Sequence, residues 1–408
     1  MRQQIKNYFH LFEAVVANIC FGFPSRSLKI IGVTGTDGKT TTTHLIHHIL
    51  TQAGKKATMI SSISAPGLHT TTPRAWETQK FLKAAVDQGI EYVVLETTSH
   101  ALDQNRVWGI KYEVGIVTNI TREHLDYHRT YNEYVSAKVK LLQVSHHKII
   151  NRDDDSYSSI KKLMEGRELI KYCLSGDGDY IWKSSLSSQI TGQYNKQNIL
   201  AAFAACRELG LEERLIVSAI NNFKLPQGRM DVVYDKDFKV IIDFAHTPNA
   251  IFNVLAAVKH EYEPKGRIIH VFGSAGLRDF KKRQAMGLAS GRFADLVILT
   301  EEDYRTEDVD KICVEIGSGL ELRGFLKDNV NDFSNQPNKT YCIVHNREDA
   351  ISLAIKTAKK DDVVITTGKS HEKSLARGEK EYPWDEFNAV EQALHKLHSN
   401  SIDHDDLR

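Results

Sequence analysis

The stretch Lys29–Leu50, KIIGVTGTDGKTTTTHLIHHIL, admits few folds. Lys29–Val33 is apolar and β-branched, as a buried strand is. Thr34-Gly35-Thr36-Asp37-Gly38 is a turn, with glycines where the backbone bends sharply or meets a ligand closely. Lys39 and Thr40 then open a helix. A strand, a glycine turn and a helix N-terminus form a phosphate cradle, because unpaired N–H groups and the helix dipole both favour an anion. In such a cradle the lysine reaches the β/γ-phosphates and the hydroxyl reaches Mg²⁺. The general pattern G-x-x-x-x-G-K-[ST] wants glycine at position 33, which is Val33; the glycine stands at Gly35 instead. An ordinary strand–helix turn is the alternative, and the strand before and helix after favour phosphate.

At 408 residues the chain has length for two to three domains. Its 41% hydrophobic and 26% charged residues suit a globular protein with sizeable cores. A net charge of +1 gives no bulk electrostatic reason to expect nucleic acid or an anionic membrane. Cys20, Cys173, Cys206, Cys313 and Cys342 are scattered, with no C-x-x-C, which argues against a disulfide framework or a zinc site. Free thiols fit a reducing cytoplasm. No apolar run has the length of a membrane span, and the N-terminus lacks the pattern of a secretory signal.

Along the chain, residues 1–27 read as a helix and linker. Ile5, Tyr8, Phe9, Phe12, Val15, Val16 and Ile19 fall near helical spacing over 3–19, an apolar face expected to pack on the domain after it. Residues 28–225 alternate strand and helix: strands at Ala57–Ile60, Tyr92–Glu96 and Val114–Asn119, helices at Thr78–Gln88 and Asn198–Leu209. That alternation predicts a parallel sheet flanked by helices, with ligands at the carboxyl ends of its strands. Residues 151–190 read as polar loop, with a serine-rich stretch at 184–188; the triplet Asp153-Asp154-Asp155 is either a cation site or a solvated turn. A boundary falls around Pro226-Gln227-Gly228. Residues 226–398 alternate again, predicting a second, Rossmann-like α/β domain with strands at Val240–Asp243, Arg267–Phe272, Leu296–Thr300, Lys339–Val344 and Val363–Thr367. The polar tail 399–408 is expected to be disordered.

Glu96, at a strand end beside the cradle, is placed to hold nucleotide Mg²⁺, or else caps the next segment. Downstream, Asn119-Ile120-Thr121-Arg122-Glu123-His124-Leu125-Asp126-Tyr127-His128 offers His124 as a further cation ligand.

TGTDGKTTTT, ETTSHALDQNR and TNITREHLDYH, in that order, resemble the Mur ligase family, nearest its UDP-N-acetylmuramoyl-tripeptide synthetase (MurE-type) branch. The likeness continues through GQYNKQNILAA, QGRMDVV, DFAHTPNA, GLRDFKKR and GKSHE, covering about 28–395. Several ordered motifs are specific where any one would be weak. The resemblance implies a P-loop-containing central ATPase domain, a C-terminal α/β domain and ATP-dependent amide ligation. A muramoyl-dipeptide carboxylate becomes an acyl phosphate, which an amino acid's amine then attacks. It implies ATP held by Gly35, Thr36, Asp37, Gly38, Lys39, Thr40 and Thr41, with Asn195 and Asn198 near adenine, Asp243 and His246 by the nucleoside, and Arg229 closing on the phosphates between the two domains. Magnesium would sit on Thr40 and Glu96, with a second ion on His124. Lys138 matches a lysine that is carbamylated in this family; a plain surface lysine is the alternative. Thr71, Thr72, Ser99 and Arg106 match positions that hold the peptidyl substrate.

In members that add meso-diaminopimelate, Asp-Asn-Pro-Arg and Gly-Lys-Gly-His-Glu motifs contact it. Here they align with Glu302-Asp303-Tyr304-Arg305 and Gly368-Lys369-Ser370-His371-Glu372. Arg278 and Arg305 suit a carboxylate and Glu372 an ammonium, with Asp303 and Gly368 beside them. This favours diaminopimelate over lysine, though the middle of the first motif is changed. The family's uridine-nucleotide domain has no counterpart in the 28 residues before Lys29. The expectation is weak uridine binding, an acceptor without uridine, or a partner protein that supplies the anchor. Alternatives are a two-domain ligase resembling folylpolyglutamate synthases, or a non-catalytic nucleotide-binding subunit.

Overall fold

The computed structural model describes residues 2–64, 71–186, 190, 192–262, 265–328, 330, 333 and 336–405. They divide into two compact units, Met1–Pro226 and Gln227–Arg408.

The first unit carries strands β1 (Lys29–Thr34), β2 (Ala57–Ile60), β3 (Tyr92–Glu96), β4 (Tyr112–Val117), β5 (Ser145–Asn151), β6 (Ile170–Cys173) and β7 (Tyr180–Ile181). Their order is β2-β3-β1-β4-β5-β6-β7 and every pairing is parallel. Its helices are α1 (Arg2–Cys20), α2 (Lys39–Gln52), α3 (Ala75–Asp87), α4 (Ser99–Asp103), α5 (Leu125–His128), α6 (Tyr131–Gln143), α7 (Tyr157–Leu163), α8 (Gln193–Glu208) and α9 (Glu213–Asn222). A parallel sheet covered on both faces needs apolar residues throughout its strands, and β1 and β3 supply them. Ile31, Val33, Val94 and Ile116 face a core closed by Leu45, Ile46 and Ile49 of α2 and by Ile199, Leu200 and the alanines of α8. Ile30, Val93 and Leu95 face the opposite core with Leu82 of α3. Each buried aliphatic side chain contributes ~1.5–3 kcal/mol.

The second unit carries β8 (Asp231–Asp235), β9 (Lys239–Ile242), β10 (Ile268–Phe272), β11 (Leu296–Leu299), β12 (Leu326–Lys327), β13 (Thr340–Ile343) and β14 (Val363–Thr366), ordered β12-β13-β11-β10-β14-β9-β8. Only the β8–β9 pair is antiparallel among these. A hairpin of β15 (Ser374–Arg377) and β16 (Lys380–Pro383) follows. The helices are α10 (Pro248–Glu261), α11 (Lys282–Ser290), α12 (Val309–Glu321), α13 (Arg347–Thr357) and α14 (Glu386–Asp405).

Three expectations change. First, α1 does not dock by its large apolar residues: Ile5, Tyr8, Phe9, Phe12 and Ile19 are each more than 60% exposed, while Ala14, Ala17 and Asn18 are fully buried. The surface it meets is polar, so polar and small residues bind it. Asn18 Nδ2 donates to Trp108 O (2.9 Å), Asn7 Nδ2 to Asp103 Oδ2 (3.1 Å) and Gln3 Nε2 to Tyr127 OH (2.8 Å). Second, the stretch 151–190 is not all loop: α7, β6 and β7 lie in it, and Tyr172 and Cys173 are buried. The acidic triplet braces this region, Asp154 Oδ1 accepting from Ile120 N (3.0 Å) and Asp153 Oδ2 from Leu174 N (2.6 Å). Of the serine-rich stretch, 184–186 form a short 3₁₀ turn and 187–188 lie outside the described residues. Third, the expected disordered tail continues α14 to Asp405, since each residue added to an existing helix gains a hydrogen bond without a new nucleus. Residues 406–408 lie outside the described residues.

Candidate functional site

In the first unit the carboxyl ends of β1, β3 and β4 lie side by side, with Val33 paired to Glu96 and Thr34 to Val117. The glycine turn runs from the end of β1 into α2, whose N-cap is Gly38 (φ +80°). Glycine is required at both turn positions. A Cβ on Gly35 would sit 1.8 Å from Thr118 Oγ1, and one on Gly38 2.3 Å from Asn198 Oδ1. Asp37 N–H donates to Asn119 Oδ1 (2.9 Å), while Asn119 Nδ2 (3.1 Å) and Thr118 Oγ1 (2.7 Å) donate to Asp37 O. Lys39 Nζ folds back to Thr36 O (2.7 Å). The turn is therefore held open from outside, leaving the start of α2 to meet an anion.

Thr40 Oγ1 lies 3.1 Å from both Glu96 oxygens, and Glu96 Oε2 also accepts from Ser62 N (3.0 Å). A hydroxyl against a buried carboxylate is a hard-oxygen set that fits Mg²⁺. Thr41 is buried one residue further along α2. Asn198 Nδ2 donates to Asn195 Oδ1 (3.1 Å), and both asparagines are buried on α8 against the start of α2.

On the other side of the turn, Lys138 of α6 is fully buried and donates to Gly35 O (2.6 Å), with its Nζ 4.6 Å from the Tyr134 ring centre. Burial, then the Lys39 ammonium, pull the Lys138 amine well below the usual lysine range; Asp37 and Glu123 offset part of that. Tyr134 OH and Thr36 Oγ1 lie 3.2 Å apart. His124 adopts the left-handed backbone (φ +56°) at the cap of α5, and its ring meets His100 edge-on at 4.9 Å. His128 is buried, bonds Ser99 Oγ (3.0 Å), and is pushed down to about 4 chiefly by burial.

Beside this group, Thr72 Oγ1 donates to Glu96 O (2.9 Å) and accepts from Thr98 N (2.9 Å). Arg106 is half-buried, donates to Thr72 O (3.4 Å), and keeps a buried Nε without a partner among the described residues. Thr71 is half-buried next to Thr72.

In the second unit, Asp243 is buried at the end of β9 and accepts from Met230 N (2.8 Å) and Ala245 N (2.7 Å). Arg229 stacks on Phe244 (4.6 Å) and contacts His371 Nδ1 (3.4 Å). His246 Nδ1 lies 3.0 Å from Phe244 O. A separate charged group gathers around Lys369, which is buried and bonds Asp303 Oδ1 (2.8 Å) and Glu372 Oε2 (2.5 Å). Burial opposes the Lys369 charge, but Glu372 and Asp303 together raise its pKa; burial also pushes Glu372 up. Arg305 (φ +53°) donates to Gly276 O (2.9 Å) and lies 3.9 Å from Asp303 Oδ2. Gly368 (φ +105°) passes Glu302, whose Oε2 would stand 2.7 Å from a Cβ there. Arg278 is exposed.

The Mur ligase middle-domain model matches residues 33–206, and the Mur ligase glutamate-ligase-domain model matches 228–370. This chain belongs to the Mur ligase family. A UDP-N-acetylmuramoyl-L-alanyl-D-glutamate--2,6-diaminopimelate ligase of Trichormus variabilis is 37% identical over 413 residues, covering 93% of this chain and 80% of that protein. A solved structure of a ligase of the same name is 28% identical, with a TM-score of 0.57, covering 91% of this chain and 79% of its own. A folylpolyglutamate synthase of Mycobacterium tuberculosis shares the fold at 15% identity and a TM-score of 0.67, covering 92% of that chain.

Within this Mur ligase, Lys39, Thr40, Glu96, Asn195, Asn198 and Lys138 surround one turn, and Asp303, Arg305 and Glu372 form another group. Sequence reasoning leaves Ser62, Thr118, Tyr134 and Lys369 out of the candidate sites. Ser62 carries no signal without its partners in space, Lys369 lies in the GKSHE motif but shows its role only through Asp303 and Glu372, and Thr118 is legible as the end of a buried strand.

Proposed function

We propose that this Mur ligase joins meso-diaminopimelate to UDP-N-acetylmuramoyl-L-alanyl-D-glutamate, forming ADP and phosphate, as a step in peptidoglycan precursor synthesis. The observation that carries the proposal is the convergence of Lys39, the Thr40–Glu96 pair and buried Lys138 on one glycine turn. The substrate carboxylate attacks the γ-phosphorus and ADP leaves. The diaminopimelate amine then attacks the acyl carbon, and the carbon–oxygen bond to phosphate breaks. Phosphoryl transfer depends on positioning and charge neutralisation, not covalent help. The backbone of Gly35–Gly38 and Lys39 orient the phosphates. Thr40 and Glu96 are the first magnesium ligands and His124 a ligand for a second ion; magnesium, when bound, neutralises phosphate charge. Thr71, Thr72, Ser99 and Arg106 hold the acceptor, Arg106 by its guanidinium against a carboxylate.

Lys138 is carbamylated in this reading. A neutral amine adds to carbon dioxide, forming an N–C bond and releasing one proton, and burial favours that neutral amine. By the family resemblance, Asn195 and Asn198 are nucleotide-binding residues of the first unit, and Arg229, Asp243 and His246 are nucleotide-binding residues of the second. The group of Asp303, Arg305, Lys369 and Glu372, with Arg278 and Gly368, pairs cation with anion and so suits a zwitterionic amino-acid end. The activity named for the 37%-identical Trichormus variabilis relative supports diaminopimelate as that amino acid. The reaction is placed in the cytoplasm, with its ATP and reduced thiols.

The test is phosphate release with ATP, Mg²⁺ and UDP-N-acetylmuramoyl-L-alanyl-D-glutamate, adding meso-diaminopimelate, lysine or no amine. Release that depends on diaminopimelate is expected. Equal release without amine makes the chain a simple ATPase. No release with any amine moves the reading to another acceptor or to a required partner.

A further inference from the structure

The end of the first sheet opposite the glycine turn carries a second cluster of ligating groups. In the parallel pairing of β4 with β5, Tyr112 stands beside Ser145 and Val114 beside His147, so Glu113 falls level with His146. One ligand atom from each of Glu113, His146 and His147 lies within 4.8 Å of the others. The two imidazoles meet edge-on at 4.5 Å. Glu113 and His147 are half-buried and His146 is exposed, so the group is shaped by the sheet yet open to solvent.

The support behind this cluster separates it from a chance meeting of surface side chains. His147 Nδ1 lies 3.0 Å from Glu208 Oε2, at the end of α8. Glu208 Oε1 in turn accepts from Tyr180 OH at 2.6 Å. A carboxylate on Nδ1 fixes the proton there and leaves the Nε2 lone pair available. It also fixes the ring plane, the usual arrangement behind metal-bound histidine. We infer that Glu113, His146 and His147 bind a divalent transition-metal ion of the zinc type, with Glu208 as the positioning carboxylate. Two imidazoles and one carboxylate suit zinc, cobalt or nickel better than magnesium or calcium, which take oxygen ligands. Three protein ligands leave a position for water. The ion would tie the start of β4 to the start of β5 and, through Glu208, to α8. It lies at the opposite end of the sheet from the proposed nucleotide end, so it is independent of the ligase reading.

The experiment uses the full chain, saturated with Mg²⁺ and ADP, and the metal alone as probe. Zinc is titrated by equilibrium dialysis with elemental analysis, and cobalt by its visible absorption. The wild type is compared with His146→Asn/His147→Asn and with Glu208→Gln. The wild type is expected to bind one ion more than the double variant and to show a cobalt band that the double variant lacks. Glu208→Gln keeps the ion with about 10-fold to 100-fold weaker affinity. Thermal melting without metal checks that each variant is folded, and added zinc should raise the midpoint of the wild type and, at higher concentration, of Glu208→Gln, but not of the double variant. Equal zinc stoichiometry in wild type and double variant overturns the inference, as does an unchanged cobalt spectrum. Thiols or other histidines that bind zinc contribute equally to both proteins and cancel.

Discussion

Thr40 Oγ1 is equidistant, at 3.1 Å, from the two carboxylate oxygens of Glu96. The pair is set by the sheet: β1 and β3 are neighbours in register, so the helix that leaves β1 starts beside the residue that ends β3. Glu96 is 1% exposed and is further held by Ser62 N–H. A carboxylate kept there beside a hydroxyl, at the mouth of a glycine turn, is arranged for a cation. Glu96→Gln is expected to lower turnover by about 10²-fold to 10³-fold, the usual cost of removing one preorganised charge-stabilising group. The magnesium concentration needed for half-maximal ADP formation should rise as well. Thr40→Ser, which keeps the hydroxyl, should stay within about tenfold of wild type. Glu96→Gln turnover close to wild type would remove Glu96 from metal binding.

Lys138 reaches the carbonyl of Gly35 from a helix that begins almost a hundred residues later, and it is buried. Lys138→Ala should abolish most turnover while leaving nucleotide binding measurable by calorimetry. A short carboxylic acid that fits the space should restore part of the rate if the lysine acts as a carbamate. Rescue by a short amine, with none by the acid, would assign Lys138 as a plain cation.

Gly38→Ala meets two obstacles, a positive φ and the side chain of Asn198 at 2.3 Å. The backbone term costs about 1–3 kcal/mol. Nucleotide affinity should fall sharply, since the N–H groups of the turn would shift. Gly38→Ala/Asn198→Ala relieves the collision but not the φ, so it should recover only part of the loss in melting temperature. Full recovery would show that φ +80° carries no cost here.

The first cradle is legible because all its parts lie within one short stretch, Lys29 to Leu50. Strands β1 to β4, β9 to β11, β13 and β14 are legible because parallel strands buried in a sheet read as continuous apolar runs, whereas β5, β8 and β12 are not read from the sequence. The features that escape sequence reasoning depend on long-range contacts. The apolar spacing of Ile5, Tyr8, Phe9 and Phe12 marks a helix correctly but not its buried side, which the polar partners Trp108 O, Asp103 and Tyr127 decide. Strands β6 and β7 at the sheet edge are short and carry Lys171 and Asp179 around them, so their local composition imitates a loop. Lys369 lies in a recognisable motif, yet its role as hub needs Asp303, some sixty residues earlier in the chain.

That hub bears on amino-acid selection. Arg305 is half-buried, with φ +53°, and is held by Gly276 O and Asp303 O. If it receives the far carboxylate of diaminopimelate, Arg305→Ala should raise KM for diaminopimelate about 10-fold to 100-fold, the cost of a lost charged hydrogen bond, and leave KM for ATP unchanged. Steady-state rates with each substrate varied in turn would measure the split. An equal rise in both constants would point to a folding defect instead.

His270 on β10 sits wholly buried between two hydroxyls, with Nδ1 2.9 Å from Ser290 Oγ and Nε2 3.0 Å from Thr367 Oγ1. Burial, reinforced by Arg347, pushes its pKa down to about 3. An unfolded histidine titrates near ~6.5. Between those values the unfolded chain binds more protons than the folded one, so stability rises with pH. The contribution is complete above the unfolded value and is lost as pH falls toward the folded one, at up to ~1.4 kcal/mol per pH unit from this ring. His270→Gln keeps polar atoms for both hydroxyls and removes the titration. It should be less stable than wild type near neutrality by ~1–3 kcal/mol, from imperfect bonds in the same space. The difference should then shrink steadily as pH falls. Urea midpoints of the two proteins from about pH 7.5 down to about pH 4.5 would follow it. Parallel curves across that range would place the acid sensitivity of this unit elsewhere.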